Sequence, residues 1–537
     1  MSIDWRPWTA AALARAAAEA RPLLALVTNS FSHATRRLDA QLADDSELER
    51  LLATRYVALR IDCDERPDLD ARLQALAGRA AAPSWPLAAI LTAAGEPLWA
   101  GTHLSRAALL ATLATPPTVP LPELAPLTGN IDDALAAIRA ACDRRYGGFE
   151  LPPKRPRPPL IDLMLAIDPP LAHRTLDALA TGGIHDQLGG GFHHYSTDER
   201  WVVPHFEKRA GDQAALLGSF ARAAAVTKQP RYVEVAHKIV AYLECRLAAD
   251  GGGYFASEAA DAGAYDDGGY YTWSSDDARA ILDDDELAVA QPYFDLYGRG
   301  ELHSDPTRNV LFIAAAPQDV ARELKRPEAE VEALLARARV KLLAARDERP
   351  PPPVDPHVYS GVSARVARAY LEADGVLHER HGALLTLERL YGARAKDGAI
   401  PHALDGKADD GLRWLADQAE TGLAALRAFE VTQDKLHLEE ARRSAQHLLA
   451  RYWHADGGFS DVPGGTARPH HDASEGVGTS GNAVAAALLW GLASRTGEPL
   501  FAERVRELMA ALLPLACGAG LDGAGLIYLR VVGGVGQ

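Results

Sequence analysis

The chain has 537 residues, 48% of them hydrophobic and 24% charged, and its 72 acidic against 56 basic side chains give a formal charge of −16 at neutral pH. This length exceeds one ordinary hydrophobic core and suits about three to four domain equivalents, or fewer where one is a large helical toroid. An acidic balance without a run of Lys or Arg excludes nucleic acid and anionic membrane as expected partners.

Asp4, Arg6 and Glu19 interrupt the N-terminus where a secretory leader needs an unbroken apolar stretch, so a cytoplasmic location is expected. Residues 9–20 read as an Ala-rich helix, 22–27 as an apolar strand, 46–54 as a helix and 56–61 as a second strand. After a third helix, 87–91 and 97–101 form a hairpin with Gly95 in its turn. That order predicts a three-layer α/β domain over residues 1–115. Cys63, Cys142, Cys245 and Cys517 stand singly and read as buried free thiols.

Residues 116–160 read as a Pro-rich connection with a helix, the Pro-rich runs lying at about 115–128 and 151–160. From 161 to 537 strand signals nearly vanish. Helices are expected at 175–180, 212–226, 232–249, 276–281, 328–347, 363–372, 385–393, 415–432, 436–452, 481–495 and 499–513. A Gly pair followed by an aromatic recurs between them, at Phe149, Phe192, Tyr254, Tyr270 and Phe459, and suggests stacked helical hairpins. The span has room for the dozen helices of an (α/α)6 toroid, and no fixed repeat period supports a linear solenoid.

Chemistry concentrates in residues 182–213, where four histidines, five acidic residues, six glycines and four aromatics occupy 32 positions. Glycine turns let backbone approach a ligand closely. For proton transfer by imidazole, whose pKa lies near neutrality, the candidates are His193 or His194 and His205, with Glu207 or Asp212 orienting a ring. Adjacent His193 and His194 should point to different sides. For paired-carboxylate hydrolysis the candidates are Asp186, Glu207 and Asp212; Asp212 could instead cap the helix that follows it. His185, Tyr195, Trp201, Tyr254, Glu258, Asp261, Trp273, Asp417 and Asn482 are candidates for binding a substrate, the aromatics by stacking on sugar faces. His185, His193, His205 and Glu207 could ligate a metal, but the short helical His spacing of zinc proteases is missing, so neither metal nor cofactor is expected.

The run GGIHDQLGGGFHHYSTDERWVVPHFEK from Gly182 to Lys208 resembles the signature of the spermatogenesis-associated protein 20 family. Similar pieces recur at 3–8, 61–68 and 85–87, and at 265–273, 308–311, 415–417 and 480–482. The resemblance implies a thioredoxin-like domain (domain of unknown function 255) followed by an all-α (α/α)6 toroid of six-hairpin, glycosidase-like type. It also implies a cis peptide bond at Pro86.

Departures from that family are informative. Where it carries Cys-His-Trp-Cys-His, this chain reads Phe31-Ser32-His33-Ala34-Thr35, so neither thiol needed for disulfide exchange is present there. The family's Ser-Trp-Asn-Gly segment is replaced around Asp355–Ser363, and Ala259 and Ala260 precede Asp261 where an acidic residue is expected. The reading is of a redox-inactive thioredoxin-like domain joined to a toroid that binds a sugar or sugar-like metabolite, with epimerisation, isomerisation or hydrolysis as its possible conversions. The alternative is a non-enzymatic scaffold or ligand sensor whose thioredoxin-like domain docks a protein partner.

Overall fold

The computed structural model describes residues 3–29, 32–43, 45–78, 84–102, 105–116, 128–263, 266, 268–404, 411, 413–464 and 480–535. Phe31, the Pro-rich run at 117–127, Tyr265 and Asp267 lie outside the described residues. Contacts divide the chain into two compact units, the first drawn chiefly from residues 1–126 and the second chiefly from residues 127–537.

In the first unit, strands β1 (Leu23–Thr28), β2 (Val57–Asp62), β3 (Leu87–Leu91) and β4 (Pro97–Thr102) form a sheet of order β2-β1-β3-β4. β1 runs parallel to β2 and antiparallel to β3, and β3 to β4 is the expected hairpin. Because side chains alternate across a strand, Leu23, Ala25 and Val27 face one core while Leu24 and Leu26 face another. Helices α1 (Ala10–Ala18) and α4 (Pro67–Leu76) close the first core; α2 (His33–Leu42), α3 (Ser46–Arg55) and α5 (Arg106–Ala114) close the second. The result is a thioredoxin-like sandwich. The Trp85–Pro86 bond is cis. Ser32 caps α2, and Cys63 is buried just after β2. Of the four cysteines Cys245 departs from expectation: it is exposed, on the π-turn that ends the helix at Pro230–Tyr242.

The second unit opens with α6 (Ile131–Ala141), α7 (Pro158–Ile167), α8 (Pro169–Thr181), α9 (Ala210–Thr227) and α10 (Pro230–Tyr242). Helices α11 (Ser275–Ile281), α12 (Asp284–Phe294), α13 (Pro317–Leu324) and α14 (Glu328–Asp347) follow, then α15 (Ser360–Leu377), α16 (His381–Gly392), α17 (Leu415–Thr432), α18 (Lys435–Arg451), α19 (Gly481–Thr496), α20 (Pro499–Gly518) and α21 (Ala524–Val531). Helices α7, α9, α15, α17, α19 and α21 each pack on the next, and α21 returns to α7, so six inner helices close a ring. Outer helices α8, α10, α16, α18 and α20 pair with the inner helices that precede them, and α6 packs on α20. This is an (α/α)6 toroid.

Two details differ from the sequence reading. The Pro-rich run at 151–160 is not wholly a connection, since Pro158 and Pro159 start the first inner helix, where a missing N–H costs nothing. Helices α11–α14 do not belong to the ring; α12, α13 and α14 pack around Val289, Leu335 and Leu342 as an insertion between α10 and α15. No described helix is long and apolar enough to cross a membrane.

The loops that lead into the inner helices dock onto the ring by one recurring device. Gln213, fourth residue of α9, accepts from Phe192 N–H and donates to Phe192 C=O, both at 2.7 Å. Gln418, fourth in α17, does the same to Ile400 at 2.7 and 2.8 Å, and Asn482 in α19 to Phe459 at 2.8 and 3.0 Å. In α15 the fourth residue, Ser363, accepts from Tyr254 N–H. Buried backbone polar groups must be paired, and beyond isolated bridges at Phe192, Tyr254 and Phe459 these loops have no strand ladder among the described residues. The glycines allow the approach: Gly190 has φ +74°, and a Cβ there would stand 2.4 Å from the Lys238 carbonyl oxygen.

Candidate functional site

Inner and outer helices alternate along the ring, so the inner helices run parallel and present their N-termini at one end. There the short strands β7 (Lys208–Arg209), β8 (Ser257–Glu258) and β9 (Val354–Asp355) pair as a sheet just before α9 and α15. The loop clasps place the segments that lead into α9, α15, α17 and α19 at the same end. Titratable side chains converge on this mouth.

His193 and His194 diverge, as neighbours in an extended segment do. His194 Nδ1 lies 2.6 Å from the Asp212 carboxylate, and its Nε2 lies 3.9 Å from Glu207 Oε1. A carboxylate can only accept, so Nδ1 carries a proton, and the opposite nitrogen, Nε2, faces Glu207. Asp212 is not a helix cap: Arg209 occupies that position, and the Asp212 side chain in the first turn is given to His194. His205, on β6 (Pro204–His205), pairs with Tyr195 on β5 (Tyr195–Ser196) and stacks on its ring at 5.0 Å. His205 Nδ1 stands 2.8 Å from Glu207 Oε2, which builds a chain Asp212, His194, Glu207, His205. Burial pushes the Glu207 carboxyl up, but the two imidazoles beside it bring it below the usual range.

His193 turns inward. Its Nδ1 donates to the Phe206 carbonyl at 2.7 Å and its ring meets Phe206 and Tyr271 edge-on. Burial and the Lys208 ammonium hold it neutral, well below the usual imidazole range. Asp186 is also enclosed: Arg346 contacts both its oxygens at 2.8 and 2.9 Å, Lys208 lies at 2.7 Å, and Leu188 and Gly189 N–H groups donate to it. Burial opposes its charge, yet these cations hold the carboxyl well below its ordinary value. It anchors the turn that carries the histidines. Glu258 accepts from Tyr271 and Tyr242 and pairs with Arg246 at 2.9 Å. Asp261 is buried and accepts from Gly268 N–H.

Four further candidates are buried. Trp201 is fully buried, with its indole N–H on the Tyr146 carbonyl and Lys154 over its face. Trp273 is buried in the insertion under Arg349. Tyr254 donates to Glu244 beside Tyr370. His185 stacks on Phe192 with Nδ1 on the Ala180 carbonyl.

A second histidine–carboxylate pair stands at the start of α17. His402 Nδ1 lies 2.9 Å from Asp417 Oδ2, and Asp417 Oδ1 accepts from Gly361 N–H at 2.8 Å. The geometry repeats the first pair: His194 follows the clasped Phe192 by two residues and His402 follows the clasped Ile400 by two, with Asp212-Gln213 matched by Asp417-Gln418. The rings of His357, Tyr359 and His402 stack at 5.9 and 4.8 Å, and His357 Nδ1 lies 2.5 Å from Asp355. Buried Trp414, edge-on to His402, has an indole N–H with no acceptor among the described residues. Sequence reasoning reached Asp417 and Asn482 but not His402, His357, Tyr359 or Trp414. The repeated Asp-Gln at equal helix positions was the available signal.

Arranged this way, the mouth offers two imidazoles, each oriented through Nδ1 by a buried carboxylate, together with an ionised Glu207 and aromatic rings. Comparison with known proteins adds the following. Residues 1–115 match the family described as "Protein of unknown function, DUF255". Human spermatogenesis-associated protein 20 is 25% identical, the match covering 95% of this chain and 77% of that protein, and the mouse protein is likewise 25% identical over the same shares. The resemblance read from residues 182–208 thus extends along nearly the whole chain. Among solved structures, cellobiose 2-epimerase from Bacillus thermoamylovorans B4167 is 9% identical with a TM-score of 0.46, covering 75% of this chain and 98% of that one.

Proposed function

We propose that the ring mouth binds a sugar or sugar-like metabolite and moves a proton on it, as an epimerase or isomerase does. The observation that carries this reading is the pair of imidazoles, His194 and His402, each with Nδ1 fixed on a buried carboxylate at the same end of the ring. Such a carboxylate sets the tautomer and stabilises the imidazolium when it forms. One imidazole, acting as base, takes at Nε2 the proton on the carbon beside an open-chain sugar carbonyl and leaves an enediolate; the other, entering as imidazolium, returns its Nε2 proton to that carbon or to its neighbour, and exchange with water restores both rings. Tyr195 offers a partly exposed ring and Trp414 an indole N–H donor for hydroxylated ligands.

Hydrolysis fits less well. It needs one carboxyl kept protonated beside one carboxylate, whereas Asp212 and Asp417 are engaged by imidazoles and Glu207 is held ionised. In the thioredoxin-like unit, Ser32 and Ala34 stand within the segment where the resembling family has its thiols, and Cys63 is buried, which supports a non-redox role.

The test is to incubate the purified chain with a panel of aldoses, ketoses and disaccharides in deuterium oxide and to follow C2 by NMR. Solvent deuterium should enter one sugar class, and His194→Ala or His402→Ala should each slow it about 100-fold or more. No exchange and no thermal stabilisation with any sugar would favour the scaffold alternative.

A further inference from the structure

Away from the ring mouth, the insertion and the outer wall of the toroid enclose a cleft of about 490 Å³, floored by the end of α8 and the turn after it and walled by α10, α12 and α14. Its volume is that of a small-molecule site. Arg339, Lys238 and Arg231 line it, against the carboxylates of Glu234 and Glu332.

These cations differ in what already holds them. Lys238 pairs with Glu234 at 2.9 Å, and Arg231 lies 3.7 Å from Asp177. Arg339 has no carboxylate within ion-pair distance among the described residues, although its charge acts on Glu234; it lies over the Tyr293 and Phe294 rings, donates one N–H to the Tyr293 hydroxyl at 2.6 Å, and its Nε is buried without an acceptor. Ala315 and Ala316, just ahead of α13, also line the cleft. The neighbouring N–H groups of Ile313 and Ala314 are spent on Thr181 and Tyr293, whereas none from Ala315 or Ala316 meets an acceptor among the described residues.

His185 adds a different group. It lines the same cleft and is 1% exposed. Its Nδ1 faces the Ala180 carbonyl, which can only accept, so the proton sits on Nδ1. Nε2 is therefore an acceptor, buried and without a partner. An unpaired buried acceptor of this kind is costly unless a ligand donates to it.

We infer that this cleft is a second ligand site, built for a small hydroxylated anion. The anionic group, phosphate or carboxylate, meets Arg339, Lys238 and the N–H groups ahead of α13, and a hydroxyl donates to His185 Nε2. His185 stacks on Phe192 at 4.8 Å, and Gln213, which clasps Phe192, adjoins Asp212, the partner of His194. The inference does not depend on turnover at the mouth.

Calorimetric titration of the full chain with glucose 6-phosphate, gluconate, inorganic phosphate and glucose tests it. Saturable binding of glucose 6-phosphate or gluconate is expected, and which of the two binds more tightly identifies the anionic group. Arg339→Met should weaken that binding at least about tenfold, and a His205→Ala, Glu207→Ala double variant should leave it unchanged. Should Arg339→Met fail to fold, Lys238→Met is read in its place. The inference is overturned by no saturable binding of either anion, by equal binding to the Arg339 and Lys238 variants, or by loss of binding in the ring-mouth variant. Inorganic phosphate binding as tightly as glucose 6-phosphate overturns the part assigned to His185.

Discussion

Single residues at both sites are set by what their second polar atom touches. His185 is fully enclosed, and burial lowers its imidazole to about 3, while Arg368, Arg222 and Arg427 overcome burial to hold Glu372 at about 2. Both groups have folded pKa values below their unfolded ones, so the unfolded chain binds more protons and each supports folding at higher pH. The His185 contribution is complete above about pH 6.5 and drains away toward 3; that of Glu372 is complete above about 4.5 and drains toward 2. Melting temperature should therefore fall in two stages on acidification. A His185→Leu variant should make the upper stage shallower and leave the lower one, the rest of the upper stage coming from His193, whose imidazole burial also lowers; an unchanged profile would refute the assignment. Of the histidines, residues 182–213 made four legible because glycines and charges crowd around them. His402 was not, because its loop carries one glycine rather than two and no second histidine.

Helices and loops were read more easily than their docking. Apolar periodicity marked most helices, and the Gly-aromatic punctuation marked where hairpins turn, but neither shows what a loop backbone bonds to. Gln213 and Gln418 do that work in matching places. Replacing either by Ala leaves a buried N–H and a buried C=O unpaired, which costs roughly 2–4 kcal/mol. Equilibrium urea unfolding measures this, and Gln213→Ala should also disturb His194 through its neighbour Asp212. A cost within about 0.5 kcal/mol of zero would mean that water replaces the clasp.

Across the whole molecule, ion pairs tie successive inner helices together. Asp162 on α7 meets Arg222 on α9, Arg222 meets Glu372 on α15, and Arg368 on α15 meets Glu420 on α17. Arg368→Met removes the shared partner of two buried carboxylates, so unfolding free energy should drop by roughly 3–5 kcal/mol; Arg368→Met with Glu420→Gln should recover part of it, as a double-mutant cycle would register. By itself the sequence determined the order of α/β then all-α units and the cluster at 182–213, because periodicity and turn residues are local properties of the chain. Only the tertiary structure decided which helices form the ring and which the insertion, that Asp186 is locked by Arg346, 160 positions away, and that His402 stands at the same mouth as His194. Those outcomes rest on pairing between distant segments, where burial forces each polar group to find a partner that no local pattern names.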